Sequence, residues 1–409
     1  MPDTLIIIYL IYMFLALYFI FLFVLIFLQN RKQMFFVPEI KKEYTVSVLI
    51  PAYNEEDSIK ETVETVLKSD YKKIIEVIII NDGSSDNTLK IVRQLEKKYP
   101  KVWVFDKKNS GKADSLNQAI KIAKGELIAV VDADSYPDIN AVSSMVGFFD
   151  EKNIGAATTR ILVKQKNNFL RKMQAVEYKV IAFTRMLLGF IDAIYVTPGP
   201  MAIYRKSALH RIGGFDKKNM TEDIEATWHL IHAGYNIRMS FVAKSTTVAP
   251  ETLKKWFKQR IRWNIGGYQC LLKYKDSWFK KGMLGFFIIP FFSISLVLGV
   301  FGLGVLFYRV IREIFSYYLS TSYSLASQTA LLTMQDINLN PTILNFLGVI
   351  LFITGLAFVY LALKYVNART REKESFFSVV FYSLVYIILR PIVLIWSLIK
   401  MARGNYSWR

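Results

Sequence analysis

Hydrophobic and polar positions divide this chain into a mixed central part and long apolar runs at both ends. Residues 5–28 contain no charged side chain, and further apolar runs cover residues 283–308, 342–365 and 376–399. About 20 apolar residues in a helix suffice to cross the ~30 Å hydrocarbon core of a bilayer. The pattern predicts an integral membrane protein with an N-terminal anchor and a C-terminal helical bundle.

The first apolar run is too long for the core of a cleaved signal peptide, and it follows Pro2-Asp3 rather than basic residues. We therefore expect a retained transmembrane anchor within residues 1–32. Arg31 and Lys32 follow the run, and a lysine-rich centre comes next. By the positive-inside rule the centre is expected in the cytoplasm of a multi-pass plasma-membrane protein.

The sequence leaves three or four spans open for the C-terminal bundle, residues 283–400. Residues 314–334 are uncharged but rich in Ser, Thr, Tyr and Gln, so they fit a span, a re-entrant piece or an external loop. Three spans place the basic tail around Lys400 and Arg403 outside. Four spans place the tail inside and residues 369–373 outside, and the positive tail favours this alternative.

The centre alternates between strand and helix patterns. Buried-strand patterns at residues 45–52, 76–80, 102–105 and 127–131 are separated by helix patterns that begin near residue 57 and at residue 88. This order predicts a mainly parallel sheet with helices on both faces. Ligands of such sheets bind beyond the carboxyl ends of the strands, where Glu55, Asp82 and Asp134 all fall.

An Asp-x-Asp pair, Asp132 and Asp134, follows the last of these strands. Two carboxylates at such a place are costly unless they hold a cation, and Mg²⁺ or Mn²⁺ bridging to the phosphates of a nucleotide suits them. A structural cap is the alternative for Asp134.

The chain has no glycine-rich dinucleotide or P-loop motif. Asp82-Gly83 forms an acidic turn that suits hydrogen bonds from a nucleobase or ribose, although the dipeptide alone would be an ordinary turn.

The formal net charge of +19 suits anionic lipid head groups and an anionic ligand. No nucleic-acid motif is present, so no nucleic-acid partner is expected.

The single Cys270 excludes an intramolecular disulfide and is expected to be structural. His229 and His232 have no third ligand nearby and are expected to be ordinary helix residues.

Two later motifs each have a plain structural alternative. Thr221-Glu222-Asp223 fits a helix start with Thr221 as the N-cap, which would still leave a carboxylate exposed at a site. Residues 259–263, Gln-Arg-Ile-Arg-Trp, fit an amphipathic helix in the membrane interface. Both interpretations are compatible with catalysis.

With these motifs in place, the chain resembles the family 2 glycosyltransferases of GT-A fold, in particular the membrane-embedded processive polysaccharide synthases. That group includes cellulose, hyaluronan and chitin synthases, and bacterial poly-β-1,6-N-acetylglucosamine synthases are the nearest likeness. The resemblance runs over residues 45–268 and rests on residues 80–88, 174–178, 220–224, 250–253 and 256–263. It implies an α/β, Rossmann-like GT-A domain at residues 45–250, interfacial helices with the Gln-x-x-Arg-Trp motif at 251–282, and the transmembrane bundle.

The resemblance implies a donor site at the sheet edge. Glu55 and Asp82 would hold the uridine of a UDP-sugar, with Lys112 near the nucleotide. Asp132 would approach the ribose or diphosphate, and Asp134 would bind Mg²⁺ or Mn²⁺.

On the acceptor side, the resemblance implies that Asp223 is the general base of an inverting transfer, with Glu222 beside it as a catalytic residue. Gln259, Arg262 and Trp263 would close over the diphosphate and hold the acceptor terminus.

The expected function is polymerisation of a UDP-sugar, with UDP-N-acetylglucosamine favoured, into a β-linked polysaccharide that crosses the membrane. Membrane lipids and a small accessory membrane subunit are expected partners. Residues 198–200 are Pro-Gly-Pro, where the nearest relatives tend to have Ser-Gly. The resemblance therefore defines the acceptor, and hence the polymer, less closely than the donor. The alternatives are a single transfer to a lipid-linked acceptor and a transporter or scaffold that binds nucleotide without turnover.

Overall fold

An eight-stranded sheet forms the centre of the protein in a computed structural model that describes residues 3–327, 343–368 and 374–404. Its strands are β1 (Val46–Ala52), β2 (Ile74–Asp82), β3 (Val102–Lys107), β4 (Leu127–Val130), β5 (Ser135–Pro137), β6 (Ile154–Val163), β7 (Ala202–Arg205) and β8 (Asn236–Thr247). They lie in the order β3-β2-β1-β4-β7-β6-β8-β5.

The first four strands are parallel, as predicted from residues 45–131. The strands that follow residue 131 make the sheet mixed. β7 is antiparallel to both β4 and β6, and β5 is antiparallel to β8, while β6 and β8 are parallel. The parallel half carries the predicted ligand edge, and the mixed half extends the sheet toward the membrane helices.

Twelve helices accompany the sheet within the described residues. They are α1 (Asp3–Asn30), α2 (Ile59–Leu67), α3 (Thr88–Lys98), α4 (Lys112–Ile122), α5 (Ser143–Val146), α6 (Phe169–Gly189), α7 (Lys206–Arg211), α8 (Glu222–His232), α9 (Leu253–Lys273), α10 (Ile289–Ser327), α11 (Ile343–Asn367) and α12 (Phe376–Ala402).

Both faces of the sheet are covered, so its central strand is buried throughout. Val48 and Ile50 of β1 point into one apolar core, while Leu49 points into the other. α2 shows how the helices pack: Ile59 and Val63, one turn apart, lie on the buried side. This arrangement leaves the ends of the strands, rather than the faces, open to a ligand.

Within the part of the chain that the structure describes, four helices are long and apolar enough to cross a membrane: α1, α10, α11 and α12. α1 packs on α11 through Phe27 and Tyr365, whose ring centroids are 4.6 Å apart. Phe19 of α1 contacts Phe291 of α10, with ring centroids 5.1 Å apart. These contacts gather the N-terminal anchor and the C-terminal helices into one bundle.

The described residues hold three C-terminal helices of spanning length, α10, α11 and α12, and the fourth span that the basic tail favoured stays a prediction. Residues 314–327 continue α10 as one helix, and the rest of the uncharged segment to residue 334 lies outside the described residues. Glu374, just before α12, pairs with Lys179 and Lys166 of the α/β domain at 2.7 and 3.1 Å. α12 therefore starts against the α/β domain.

α6 and α9 join the α/β domain to the bundle. Phe183 of α6 contacts both Phe27 and Phe358, with centroids 5.7 Å away in each case. α9 is one continuous helix where several interfacial helices were expected, and its Trp256 lies against Tyr386 of α12 at 5.8 Å between ring centroids. The predicted interfacial segment thus lies directly against a membrane helix.

We predict that a reporter tag fused after Arg409 lies on the opposite side of the membrane from the α/β domain. The reason is that Glu374 fixes the start of α12 beside Lys179, and α12 has the length of a single span. Protease protection in sealed vesicles, with a second tag in the α/β domain, measures this. Two tags cleaved from the same side would contradict the three-span arrangement.

Candidate functional site

The loops that follow β1 and β2 interlock at the carboxyl edge of the sheet. Asn54 has a left-handed backbone (φ 56°), and its side-chain oxygen accepts a hydrogen bond from the Ser85 amide at 2.8 Å. The Glu55 amide donates to the Thr88 hydroxyl at 2.8 Å. The acidic turn after β2 therefore builds the wall that presents Glu55.

Glu55 is a half-buried carboxylate at this wall. The Ser58 hydroxyl, directly before α2, donates to Glu55 Oε2 at 2.7 Å. Burial, together with the negative charges of Asp134 and Asp132, raises the pKa of Glu55 to about 7 despite the Ser58 hydrogen bond. Glu55 therefore faces the Asp-x-Asp pair, as its position at a strand end suggested.

Asp82 organises the neighbouring loop from a buried position. Its carboxylate accepts hydrogen bonds from the amides of Ser110 and Gly111 at 2.9 and 2.8 Å and pairs with Lys107 at 2.5 Å. Gly83 has φ +69°, and a Cβ there would lie 2.7 Å from the Asn109 amide nitrogen. These contacts of Asp82 shape the loop that leads to Lys112, and a direct contact with uridine stays a prediction.

Lys112 joins the two halves of the site. As the first residue of α4, it pairs with Asp132 at 2.6 Å and with Glu222 at 2.7 Å. Burial opposes its charge, but the two carboxylates raise the pKa of Lys112 above its usual value. The Pro198-Gly199-Pro200 segment packs on this pair, since a Cβ at Gly199 would lie 2.5 Å from Asp132 Oδ2.

Asp134 sits next to this group. The Ser135 and Thr247 hydroxyls lie 3.1 and 3.4 Å from its Oδ1. Burial and the nearby Asp132 carboxylate raise the pKa of Asp134 to about 6. A buried carboxylate whose pKa is raised by a neighbouring negative charge lies at a place that a bound cation would stabilise.

Asp223 lies in the first turn of α8, where the helix dipole favours a negative charge. Its own Oδ1 accepts the Ile224 amide at 2.9 Å. Burial and the adjacent Glu222 charge raise the pKa of Asp223 to about 6. Burial also opposes ionisation of Glu222, but Lys112 outweighs it and lowers the pKa of Glu222. The pair thus separates into a fixed anion and a carboxylate that titrates near neutrality.

The cap interaction predicted for Thr221 is not among the described contacts. Its hydroxyl donates to Asn219 Oδ1 at 3.2 Å instead. α9 packs directly on this turn, because a Cβ at Gly266 would lie 1.8 Å from Thr221 Oγ1. α9 is thereby held against the turn that carries Asp223.

The three predicted residues of α9 have different surroundings. Arg262 lies within the electrostatic reach of both Glu222 and Asp223, so the structure brings it to the acidic site. Trp263 is half-buried and packs against the apolar cluster that includes Tyr178. The Gln259 side-chain oxygen is held by Arg260, its neighbour in the chain.

Sequence reasoning missed four residues near the site. Arg260 forms a buried ion pair with Glu177, whose carboxylate also accepts a hydrogen bond from Tyr386 at 2.7 Å. Arg185 is 6% exposed, its Nε and Nη1 have no hydrogen-bond partner among the described residues, and it lies in the field of Asp223. Glu177 lies within residues 174–178, one of the segments that carry the resemblance, but its partners are 83 and 209 positions away in sequence.

The described residues contain no group of three or more His, Cys, Asp or Glu side chains arranged to hold a metal ion. His229 and His232 both contact the ring of Tyr274, with ring centroids 6.3 and 5.6 Å apart. Asp132 and Asp134 still suit a hard divalent cation that takes its remaining oxygen ligands from a diphosphate and water.

Residues 47–213 match the family model described as Glycosyl transferase family 2. The chain is 34% identical over 258 residues to the poly-beta-1,6-N-acetyl-D-glucosamine synthase of Staphylococcus aureus (strain MSSA476), which covers 63% of this chain and 62% of the relative. The Staphylococcus epidermidis protein of the same name matches with the same identity and coverage. The chain thus spans less than two thirds of these relatives.

A solved mannosyltransferase from Pyrobaculum calidifontis, PcManGT, in complex with GDP-Man and Mn²⁺, has a TM-score of 0.60 to this chain. The match covers 97% of this chain and 99% of that one at 16% identity, so it shows a shared fold.

Residues 47–213 therefore match glycosyl transferase family 2, and the chain has the GT-A fold that its motifs predicted. The chain is similar to the staphylococcal synthases. The family model includes Glu55, Asp82, Lys112 and the Asp-x-Asp pair, and it ends before Asp223 and α9.

We predict that Lys112→Met destabilises the protein strongly. Removing one member of a buried ion pair costs about 3–5 kcal/mol, because the partner charges stay buried without compensation. Thermal unfolding of the purified protein measures this. Lys42→Met is the matched control, since Lys42 and Glu126 are 56% and 45% exposed and water screens such a pair. Equal melting temperatures for the two variants would contradict the assignment.

Proposed function

We propose that this chain is a membrane-embedded, inverting and processive glycosyltransferase. It polymerises UDP-N-acetylglucosamine into a β-linked polysaccharide and exports the polymer through its membrane helices. The observation that carries this proposal is the buried ion-paired group of Lys112, Asp132 and Glu222, next to which the pKa of Asp223 is raised to about 6. The donor is inferred from what the similar staphylococcal proteins are named for.

Asp223 acts as the general base. It takes the proton from the acceptor hydroxyl as that oxygen attacks the anomeric carbon of the donor sugar. The new glycosidic bond forms on the face opposite the diphosphate, the bond between the anomeric carbon and the phosphate oxygen breaks, and UDP leaves. Its raised pKa supports this role, because a base that titrates near the operating pH transfers protons efficiently.

Lys112 and Arg262 supply positive charge where the leaving diphosphate becomes more negative. Preorganised charges in a partly desolvated site stabilise such a transition state without reorganising. Glu222 keeps Lys112 in place through its 2.7 Å ion pair. Glu55 and Asp82 hold the uridine, with Asp82 acting also through the loop that it shapes.

Asp134, with Asp132 beside it, would hold Mg²⁺ or Mn²⁺ against the diphosphate. A bound divalent cation supplies charge neutralisation to the phosphate oxygens. Burial and the nearby Asp132 charge raise the pKa of Asp134, which supports a cation at this place.

Trp263 offers a ring face on which the acceptor sugar stacks, and Gln259 lies one turn before it on α9. Because α9 lies against α12, the acceptor site opens directly below the membrane helices. In the proposed orientation the transferase domain is cytoplasmic in a plasma-membrane protein. Lipids surround the bundle, and a small membrane subunit stays a predicted partner.

We predict that membranes carrying this chain convert labelled UDP-N-acetylglucosamine, with Mg²⁺ or Mn²⁺, into a high-molecular-weight product. Asp223→Asn removes the base and should lower the rate by about 10²–10⁴-fold while UDP binding persists. Size-exclusion chromatography of the product and UDP-binding calorimetry measure the two effects.

A short, solvent-extractable lipid product would replace polymerisation with a single transfer to a lipid-linked acceptor. Unchanged turnover in Asp223→Asn would remove Asp223 from the mechanism. Binding of UDP with no transfer from any UDP-sugar would support the scaffold alternative.

We also predict that kcat/KM falls with decreasing pH below about 6. Asp223 is reactive only when ionised, and a single required base loses activity about tenfold per pH unit below its pKa. Initial rates between pH 5 and 8 measure the profile, and the residual rate of Asp223→Asn should lack this limb. The same acidic limb in both proteins would assign the titration to another group.

A further inference from the structure

A chain of hydrogen bonds runs from a membrane helix to the Gln-x-x-Arg-Trp segment. The Tyr386 hydroxyl of α12 donates to Glu177 Oε2 of α6 at 2.7 Å. Glu177 accepts two hydrogen bonds from Arg260 of α9, one from Nε at 3.1 Å and a short one from Nη2. Three elements that are remote in sequence thus meet at one carboxylate.

This chain of contacts is buried, and all of the Arg260 nitrogens take part in hydrogen bonds. Glu177 and Arg260 are 8% and 7% exposed. The third guanidinium nitrogen, Nη1, donates to the Gln259 side-chain oxygen, so every nitrogen of Arg260 has an acceptor. A two-point guanidinium–carboxylate pair fixes direction as well as distance. Arg260 therefore has little freedom to turn while Glu177 is held.

The guanidinium of Arg260 in turn orients aromatic rings. Its Cζ lies 4.2 Å from the centroid of the Trp263 ring and 5.4 Å from that of Trp256. A cation over a ring face is attracted by the ring's quadrupole, more strongly where water is excluded. Trp256 also contacts the ring of Tyr386 at 5.8 Å, which closes the group. The orientation of Trp263 therefore depends on the Tyr386–Glu177–Arg260 chain.

We propose that Tyr386 is a positioning residue that acts through Glu177 and Arg260 to fix the Trp263 ring, so that membrane helix α12 sets the acceptor platform. The inference rests on the proposed function of Trp263 as the surface that holds the acceptor sugar. Tyr386 makes no described contact with the donor-side carboxylates. Its loss should therefore affect retention of the acceptor, and so product length, rather than use of the donor.

Tyr386→Phe tests this by removing one hydroxyl with little change of volume. Tyr382→Phe is the matched control, because its ring lies 4.5 Å from that of Tyr386 and its hydroxyl has no hydrogen-bond partner among the described residues. A hydrogen bond to a charged group contributes enough free energy that its loss should shorten the mean product about fivefold or more in Tyr386→Phe. The KM for UDP-N-acetylglucosamine should stay within about twofold, since donor contacts are untouched.

Glu177→Gln and the double variant Glu177→Gln/Tyr386→Phe show whether Tyr386 acts through Glu177. If it does, the double variant has the product length of Glu177→Gln alone. Additive shortening in the double variant would overturn the proposed route. Equal product lengths for Tyr386→Phe, Tyr382→Phe and the unmodified chain would overturn the positioning role.

Hydrogen–deuterium exchange of α9 separates this inference from the proposed function. Exchange within Leu253–Lys273 should be faster in Tyr386→Phe than in Tyr382→Phe, whether or not polymer forms. Faster exchange in a protein that makes no polymer would leave the contact chain standing and reject polymerisation. Unchanged exchange would reject the contact chain itself, whatever the product.

Discussion

The ion pairs of Lys112 with Asp132 and Glu222 are the contacts on which the rest of the site depends. Asp132 belongs to the parallel half of the sheet, whereas Glu222 begins α8 in the mixed half. One buried ammonium therefore holds together carboxylates that would otherwise repel each other. It leaves Asp223, next to Glu222, as the member that titrates near neutral pH. The position of Lys112 therefore explains why Glu222 stays an anion while Asp223 can act as a base.

The same logic of buried charge ties the domain to the membrane helices. Glu374 meets Lys179 at the start of α12, and Glu177 meets Arg260 two residues earlier on α6. Each pair would be costly if either partner moved away, because an unpaired charge would stay buried. α6 is thus a rigid bridge between the sheet and the bundle. This placement supports a site that receives its acceptor from the membrane side.

The sequence was sufficient to predict the parallel half of the fold and the position of its acidic residues. Local patterns determine those features: apolar runs form the strands, and Glu55, Asp82 and Asp134 follow strand ends. It could not predict the pairing of Lys112 with Glu222, the antiparallel β7 or the partners of Glu177, since these contacts join distant segments. The preference for a fourth C-terminal span stays a prediction, because it rests on the charge of the tail alone.

An experimental structure of the purified chain with UDP and Mn²⁺ would test the central claim most directly. The account predicts that the diphosphate lies between Asp134 and Arg262, with the metal on Asp134. Asp223 should then face the side from which an acceptor hydroxyl would approach the anomeric carbon. UDP bound away from the Lys112–Asp132–Glu222 group, or with Asp223 turned from the diphosphate, would contradict the account.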